Sequence, residues 1–310
     1  MKRRDFFKSA AALGVASLFK TNALGAALSG KQLKVHAGPD LVAVMGGEPD
    51  VMLERALKEL GGIKNFVKRG QKVVIKPNIG WDRKPELAAN TNPELVGTLV
   101  RLCKEAGASQ VTVFDHTCHD WKKSYTNSGI EKAVTAAGGK MVPANDESYY
   151  REVEFPRGVN LKKAKIHQAL LDCDVWFNVP VLKQHGGAKN TISMKNLMGI
   201  VWDRSFFHSH DLHQCIADVA TFHKQPTLNI VDAYRIMKSN GPQGKSESDV
   251  VKLKSLLVSH DFVAVDTAAM KLYSQVEPTD LKDVRYIALA EKNRVGTQNL
   301  ERLNVKRIKL

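Results

Sequence analysis

The feature that most constrains this chain is an alternation of short apolar stretches with amphipathic ones, the joints marked by glycine, proline or asparagine. Between Val51 and Leu60, the residues Leu53, Ala56, Leu57 and Leu60 fall at helical spacing, and Gly61-Gly62 supplies the stop. Lys72 to Ile75 reads as a strand ending in Lys76-Pro77-Asn78. Asn92-Pro93-Glu94 then opens a helix, with a capping side chain followed by proline at the first helical position, which runs through Leu95, Leu99, Leu102 and Ala106 to Gly107. Gln110 to Phe114 is the next strand, Gly129 to Ala137 the next helix, and Lys140 to Val142 the strand after it. Further strands are expected at 174–179, 227–232 and 255–259, helices at 211–223, 263–272 and 281–291, and a loop at 239–249. Strand, helix, strand, helix predicts an α/β fold: a mostly parallel sheet with helices on both faces. A length of 310 residues suits one large domain over residues 31–310, with a split into two lobes near 150–170 left open.

Composition narrows the classes. Hydrophobic residues make up 43% and charged residues 25%, and no run of about 18 apolar residues interrupts the chain, so neither disorder nor an integral membrane span is expected in the mature chain. The four cysteines, at 103, 118, 173 and 215, never form a Cys-x-x-Cys pair, which disfavours a structural zinc knuckle. Net charge is +14, of which the first thirty residues hold +4, and the rest is dispersed among acids. No basic block suggests nucleic acid as a partner. Neither Gly-x-Gly-x-x-Gly after an early strand nor a Gly-x-Ser-x-Gly elbow is present, which disfavours a dinucleotide site and a serine hydrolase.

Met1 to Gly30 reads as an address. Arg3-Arg4-Asp5-Phe6-Phe7-Lys8, a modest apolar run from Ala10 to Leu18, and small residues around Ala23 to Ala27 resemble a twin-arginine signal. The expected partner is the twin-arginine translocase and the expected compartment the periplasm. Because that route moves folded proteins, a cofactor acquired before export is compatible with it.

In open parallel sheets, ligands bind beyond the carboxyl ends of the strands. That rule selects Lys76-Pro77-Asn78, the run Asp115-His116-Thr117-Cys118-His119, Pro180 to His185, and Asp232. A lysine in an apolar pocket loses its proton and can form an imine or hold a cofactor, whereas one left charged clamps a carboxylate or phosphate. Lys183 and Lys195 carry both readings; with Lys76 they make a positive pocket for a small anionic ligand, oriented by Asn78 and Asn196. His208-Ser209-His210-Asp211-Leu212-His213 holds three imidazoles in six residues, and with Ser209 as the cap, His210 and His213 share a helix face. Together with His185 they are candidate ligands for a divalent transition metal such as nickel, zinc or iron, with His116 and His119 as further donors and Asp115 or Asp211 as ring orienters. Cys118 is read as a structural thiol. Asp232 and Asp266 are read as bases, orienters or caps.

The series Val74-Ile75-Lys76-Pro77-Asn78, Asn92-Pro93-Glu94-Leu95-Val96, Val113-Phe114-Asp115, Cys173-Asp174-Val175-Trp176-Phe177-Asn178-Val179-Pro180-Val181-Leu182-Lys183-Gln184-His185, Met194-Lys195-Asn196-Leu197-Met198-Gly199, Ile230-Val231-Asp232, Gly241-Pro242 and Val263-Ala264-Val265-Asp266 resembles domain-of-unknown-function family 362. Where that family commonly has Thr-His-Pro, this chain has Thr91-Asn92-Pro93. A fainter resemblance is to the nickel-pincer lactate racemase family: His185-Gly186-Gly187 precedes Lys195 by about ten residues, and His208 or His210 follows. That resemblance implies a nickel-pincer-like cofactor attached at Lys195 and a metal-binding histidine.

These observations predict a metal- or metallocofactor-dependent enzyme, an isomerase, racemase or oxidoreductase, acting on a small hydroxy acid or carboxylate. His185, Lys195, Asp115 and His116 are its candidate catalytic residues, Lys76, Asn78, Lys183 and Asn196 hold cofactor or substrate, and His185, His208, His210 and His213 bind metal. The alternative is a periplasmic metal, anion or cofactor binding or delivery protein without turnover.

Overall fold

The computed structural model describes residues 38–310, so the leader lies outside the described residues. Twelve strands follow in chain order: β1 (Leu41–Met45), β2 (Lys72–Pro77), β3 (Gln110–Val113), β4 (Lys140–Met141), β5 (Tyr150–Glu154), β6 (Lys163–His167), β7 (Val175–Val179), β8 (Val181–His185), β9 (Lys189–Thr191), β10 (Leu228–Met237), β11 (Val250–Ser259) and β12 (Val305–Lys309). Ten of them form one sheet, ordered β12-β1-β11-β10-β7-β2-β3-β4, with β8 added on β10 and β9 on β8. β5 and β6 pair as a separate antiparallel hairpin. Among the described residues, no helix is long and apolar enough to cross a membrane.

The mostly parallel architecture follows from alternation within each strand. Val42, Val44, Val73, Ile75, Val111, Val113 and Phe177 face the helices Pro49–Glu59, Pro93–Glu105 and Ile130–Ala136. Leu41, Ala43, Val74, Trp176, Val231 and Leu257 face the helices Leu212–Val219, Phe262–Tyr273 and Arg285–Lys292. Both faces are covered, so the central strands are buried throughout, as a parallel α/β sheet requires. Each buried Val or Leu contributes roughly 1.5–3 kcal/mol relative to exposure.

The sheet is not uniform. β10-β7-β2-β3-β4 is parallel, while β11 runs antiparallel to both β10 and β1. The expected short strands at 227–232 and 255–259 are the first half of β10 and the last half of β11, two ten-residue strands that pair from Asn229↔Ser259 to Met237↔Val250, and the 239–249 loop is the tip of their hairpin. Apolar residues continue through Ala233, Ile236 and Met237, all buried, which is why the pairing does not stop at Asp232. The edge strand β12 and its neighbour β1, together with the hairpins β5–β6 and β8–β9, which have no helix between their strands, escape a pattern built on alternation. Pro180 lacks an amide proton and ends the β7 ladder, after which β8 pairs with β10 through Asp232↔Val181 and Met237↔Lys183.

Candidate functional site

β2 and β3 end side by side, and their carboxyl ends carry a buried pair of opposite charges. Lys76 is fully buried, with its Nζ 2.7 Å from Asp115 Oδ1. The same ammonium donates to Pro77 O at 2.8 Å and to Asn196 Oδ1 at 2.9 Å. Asp115 Oδ2 accepts the Ile79 amide at 2.6 Å. Burial chiefly pushes the Lys76 pKa down, with the Arg204 charge adding to it, and the neighbouring Asp115 opposes that shift. Gly199 closes over the pair. A Cβ there would sit 1.8 Å from Asp115 Oδ1 and 2.6 Å from Lys76 Nζ, so only glycine lets the chain pass.

Asparagines tie this pair to the neighbouring strands. Asn196 Nδ2 donates to Lys76 O and to Asn178 Oδ1 at 2.8 Å, and Asn178 Nδ2 donates to Asn229 Oδ1 at 2.9 Å. Asn78 Nδ2 donates to Asn196 Oδ1, which leaves Asn78 Oδ1 to accept from Lys183 Nζ at 2.9 Å. Lys183 Nζ also donates to Ala89 O and, at 3.2 Å, to Pro242 O. Three acceptors require three protons. Lys183 is therefore held as an ammonium, although burial, reinforced by Lys195, pushes its pKa down to about 7.

Lys195 is built differently. It stands on the short helix Ser193–Asn196, whose first amides are held by the buried carboxylate of Asp266 through Ser193 N and Met194 N. Its Nζ has one acceptor among the described residues, the thioether sulfur of Met198 at 3.5 Å. Burial, with Arg204 and Lys76 adding to it, pushes the Lys195 pKa down to about 8. Arg204 donates to His116 O at 2.8 Å, Thr117 O at 2.7 Å and Cys118 Sγ at 3.2 Å, none of them a carboxylate. Lys183, Lys195, Arg204, His116, His185 and His208 line one cleft of about 390 Å³, the size of a small-molecule site.

The imidazoles fall into fixed states. A carbonyl oxygen only accepts, so the 3.0 Å contact of His116 Nδ1 with Val201 O puts the proton on Nδ1 and the lone pair on Nε2. Its ring stacks on Trp202 at 5.0 Å and 3°. His185 is the reverse: its Nδ1 accepts the Ala188 amide at 3.1 Å, so the neutral ring carries its proton on Nε2. Burial first, then the fields of Lys195 and Lys183, hold the His185 pKa down at about 2, which keeps it neutral. Burial, then Arg204, lowers His116 as well. One ring thus offers a lone pair and the other a proton.

The four-histidine metal set is not gathered. His208 lines the cleft beside His185, but His210 and His213 do not. Asp211, not Ser209, caps the helix Leu212–Val219. Ser209 ends the preceding helix Ser205–Ser209, and His210 has extended backbone between the two, so it shares no helix face with His213. The His210 ring lies on Phe206 at 3.8 Å with Nδ1 against Phe206 O, and His213 Nδ1 accepts the Tyr286 amide at 3.3 Å. His119 Nδ1 accepts the Asp82 amide at 3.3 Å. Among the described residues, no group of three or more His, Cys, Asp or Glu side chains is placed to hold a metal ion. His185 presents an N–H rather than a lone pair, so these side chains do not fit a nickel, zinc or iron centre of the expected kind.

Of the remaining expected residues, Asp115, His116, Asn78, Lys183, Lys195 and Asn196 all line the cleft, and Lys76 lies directly beneath it. Asp232 accepts the Asn92 and Tyr234 amides at 2.7 and 3.0 Å, positioning the loop before the Pro93–Glu105 helix. Asn92, where the family commonly has histidine, caps that helix through the Glu94 amide at 2.9 Å. Arg204 and Gly199 were missed as functional positions. Arg204 sits on a loop with no strand end beside it, and Gly199 shows its role only through the charges it grazes.

A mostly parallel sheet with a cationic cleft over the carboxyl ends of β2 and β3 defines an open α/β protein of the kind that binds ligands at a strand edge. The chain belongs to the family described as Domain of unknown function (DUF362), which matches residues 73–271. It is 27% identical over 222 residues to the "Thylakoid-associated protein sll1697" of Synechocystis sp., covering 69% of this chain and 66% of that protein, a little under two thirds of the relative's length. Among solved structures it is similar to the lactate racemase apoprotein from Thermoanaerobacterium thermosaccharolyticum, with a TM-score of 0.46, 12% identity, and coverage of 77% of this chain and 58% of that one, a likeness too distant to transfer an activity.

Proposed function

We propose that the cleft binds a small carboxylate or hydroxy acid and moves a proton on it. One observation carries this reading: Lys195 and Arg204 both border the cleft without a carboxylate partner, while the carboxylate beneath them, Asp115, is committed to Lys76. An anion entering there completes the charge balance and gains charge-assisted hydrogen bonds. Neutral His185 Nε2–H donates to the ligand's hydroxyl or carbonyl oxygen, as a neutral imidazole does when it polarises a carbonyl. His116 Nε2, neutral because its ring is buried, accepts a proton from the ligand. No metal step enters.

On this reading Arg3-Arg4 and the apolar run after it direct the protein to the periplasm through the twin-arginine translocase, so a host lacking that translocase retains it in the cytoplasm.

Lactate in deuterated buffer tests the chemistry. Calorimetry should show saturable binding that Lys195→Met weakens, and NMR should show deuterium appearing at C2 in the native protein and vanishing in His116→Gln. Binding without exchange would leave a binding or delivery protein in place of an enzyme. No binding of any small carboxylate would remove both.

A further inference from the structure

The three lysines of the site differ in how many acceptors they have, and that difference separates a nucleophile from two anchors. Lys76 Nζ donates to Asp115 Oδ1, Asn196 Oδ1 and Pro77 O, and Lys183 Nζ to Asn78 Oδ1, Ala89 O and Pro242 O. A neutral Lys76 would leave the buried Asp115 carboxylate without its ammonium, and a neutral Lys183, with two protons for three acceptors, would orphan a buried oxygen. Among the described residues Lys195 Nζ has only the Met198 thioether, a weak acceptor, within hydrogen-bond reach, and Asp115 acts on its charge through the field alone, without a direct ion pair. Its amine can shed a proton without breaking any strong hydrogen bond, and it lies in the same cleft as the lone pair of His116 and the N–H of His185.

We propose that Lys195 is a covalent catalytic residue that forms an imine with a carbonyl compound bearing a carboxylate, such as a 2-oxo acid. This deepens the reading above and rests on the same cleft binding a small anion. The amine lone pair makes the C–N bond as the carbonyl π pair moves onto oxygen. His185 Nε2–H donates a hydrogen bond to that oxygen and stabilises its developing charge without transferring its proton. His116 Nε2 takes the two amine protons in turn and passes each to the oxygen, beginning and ending neutral. The C–O bond then breaks and water leaves, so that one amine and one carbonyl become one imine and one water, with no oxidant or reductant consumed. The substrate carboxylate rests against Arg204, while Lys183, its three protons committed to Asn78, Ala89 and Pro242, contributes only its positive field. Burial, which lowers the Lys195 pKa to about 8, provides a useful share of free amine near neutral pH.

Incubating the full chain with pyruvate and sodium cyanoborohydride, followed by intact-mass and peptide mapping, tests this. The expected result is one reduced adduct per chain, on Lys195, absent from Lys195→Arg and present in Lys122→Arg, a surface control. Lys195→Arg keeps a cation, so its lactate binding should fall less than tenfold while trapping is abolished. No adduct in the native protein, or an adduct that persists in Lys195→Arg, overturns the proposal. If trapping fails while lactate still binds, the anion site stands and the imine falls; if lactate does not bind either, both fall together.

Discussion

The floor and the wall of the cleft use the same residue type to opposite ends. On the floor, Lys76 and Lys183 are fully buried, and each spends all three protons on oxygen acceptors. On the wall, Lys195 has a thioether and nothing stronger. Burial lowers the pKa of all three, so desolvation does not distinguish them. What distinguishes them is the supply of acceptors: the first two ammonium groups are parts of the scaffold, and the third is available to a ligand.

Four measurements break or sharpen that contrast. The largest effect is expected for Lys76→Met, which strands Asp115 as a buried charge and should cost about 3–5 kcal/mol in urea denaturation; a loss below about 1 kcal/mol would mean the pair is not structural. Lys183→Met leaves three carbonyl oxygens without a donor and should cost about 1–3 kcal/mol by the same measurement. Lys195→Met should change stability by no more than about 0.5 kcal/mol while weakening lactate binding at least tenfold; a large destabilisation would put Lys195 with the floor.

The smallest effect is in pH. Lys195 holds its proton to about 8 when folded and to 10.5 ordinarily, so lactate affinity should decline as pH rises through about 8. Between those two values the unfolded chain binds the extra proton, so its contribution makes the fold more stable as pH rises. Calorimetry and melting at stepped pH should move in opposite directions, and affinity that stays flat from pH 7 to about 9 would show that Lys195 does not bind the anion. His185, held at about 2, adds no inflection in that range.

The parallel half of the sheet was legible because each strand there is followed by a helix or a polar turn, and the strand-end rule found Lys76, Asn78, Asp115, Lys183 and His185 in one pass. The hairpins were not, since β8 and β9 are short and set by pairing, β8 with β10 and β9 with β8, rather than by their own pattern. The histidine reading failed for a related reason. Three imidazoles in six residues look like a ligand set, yet which nitrogen holds a proton depends on partners such as Ala188, Val201 and Tyr286. Those partners lie outside any local motif, or act through backbone groups that side-chain patterns do not reveal.

At the far border of the sheet, β12 lies parallel to β1 and covers the hydrogen-bonding side of Leu-Val-Ala-Val-Met with a strand reading Val-Lys-Arg-Ile-Lys. Charged residues on an outermost strand discourage another chain from adding to it. Shortening the protein by its last eight residues would bare five apolar positions with open amides, and the expected outcome is self-association into fibrous or amorphous aggregates at concentrations where the full chain stays dispersed. Light scattering checks this, and a truncated chain that stays dispersed would show that β12 is not what keeps that border from pairing.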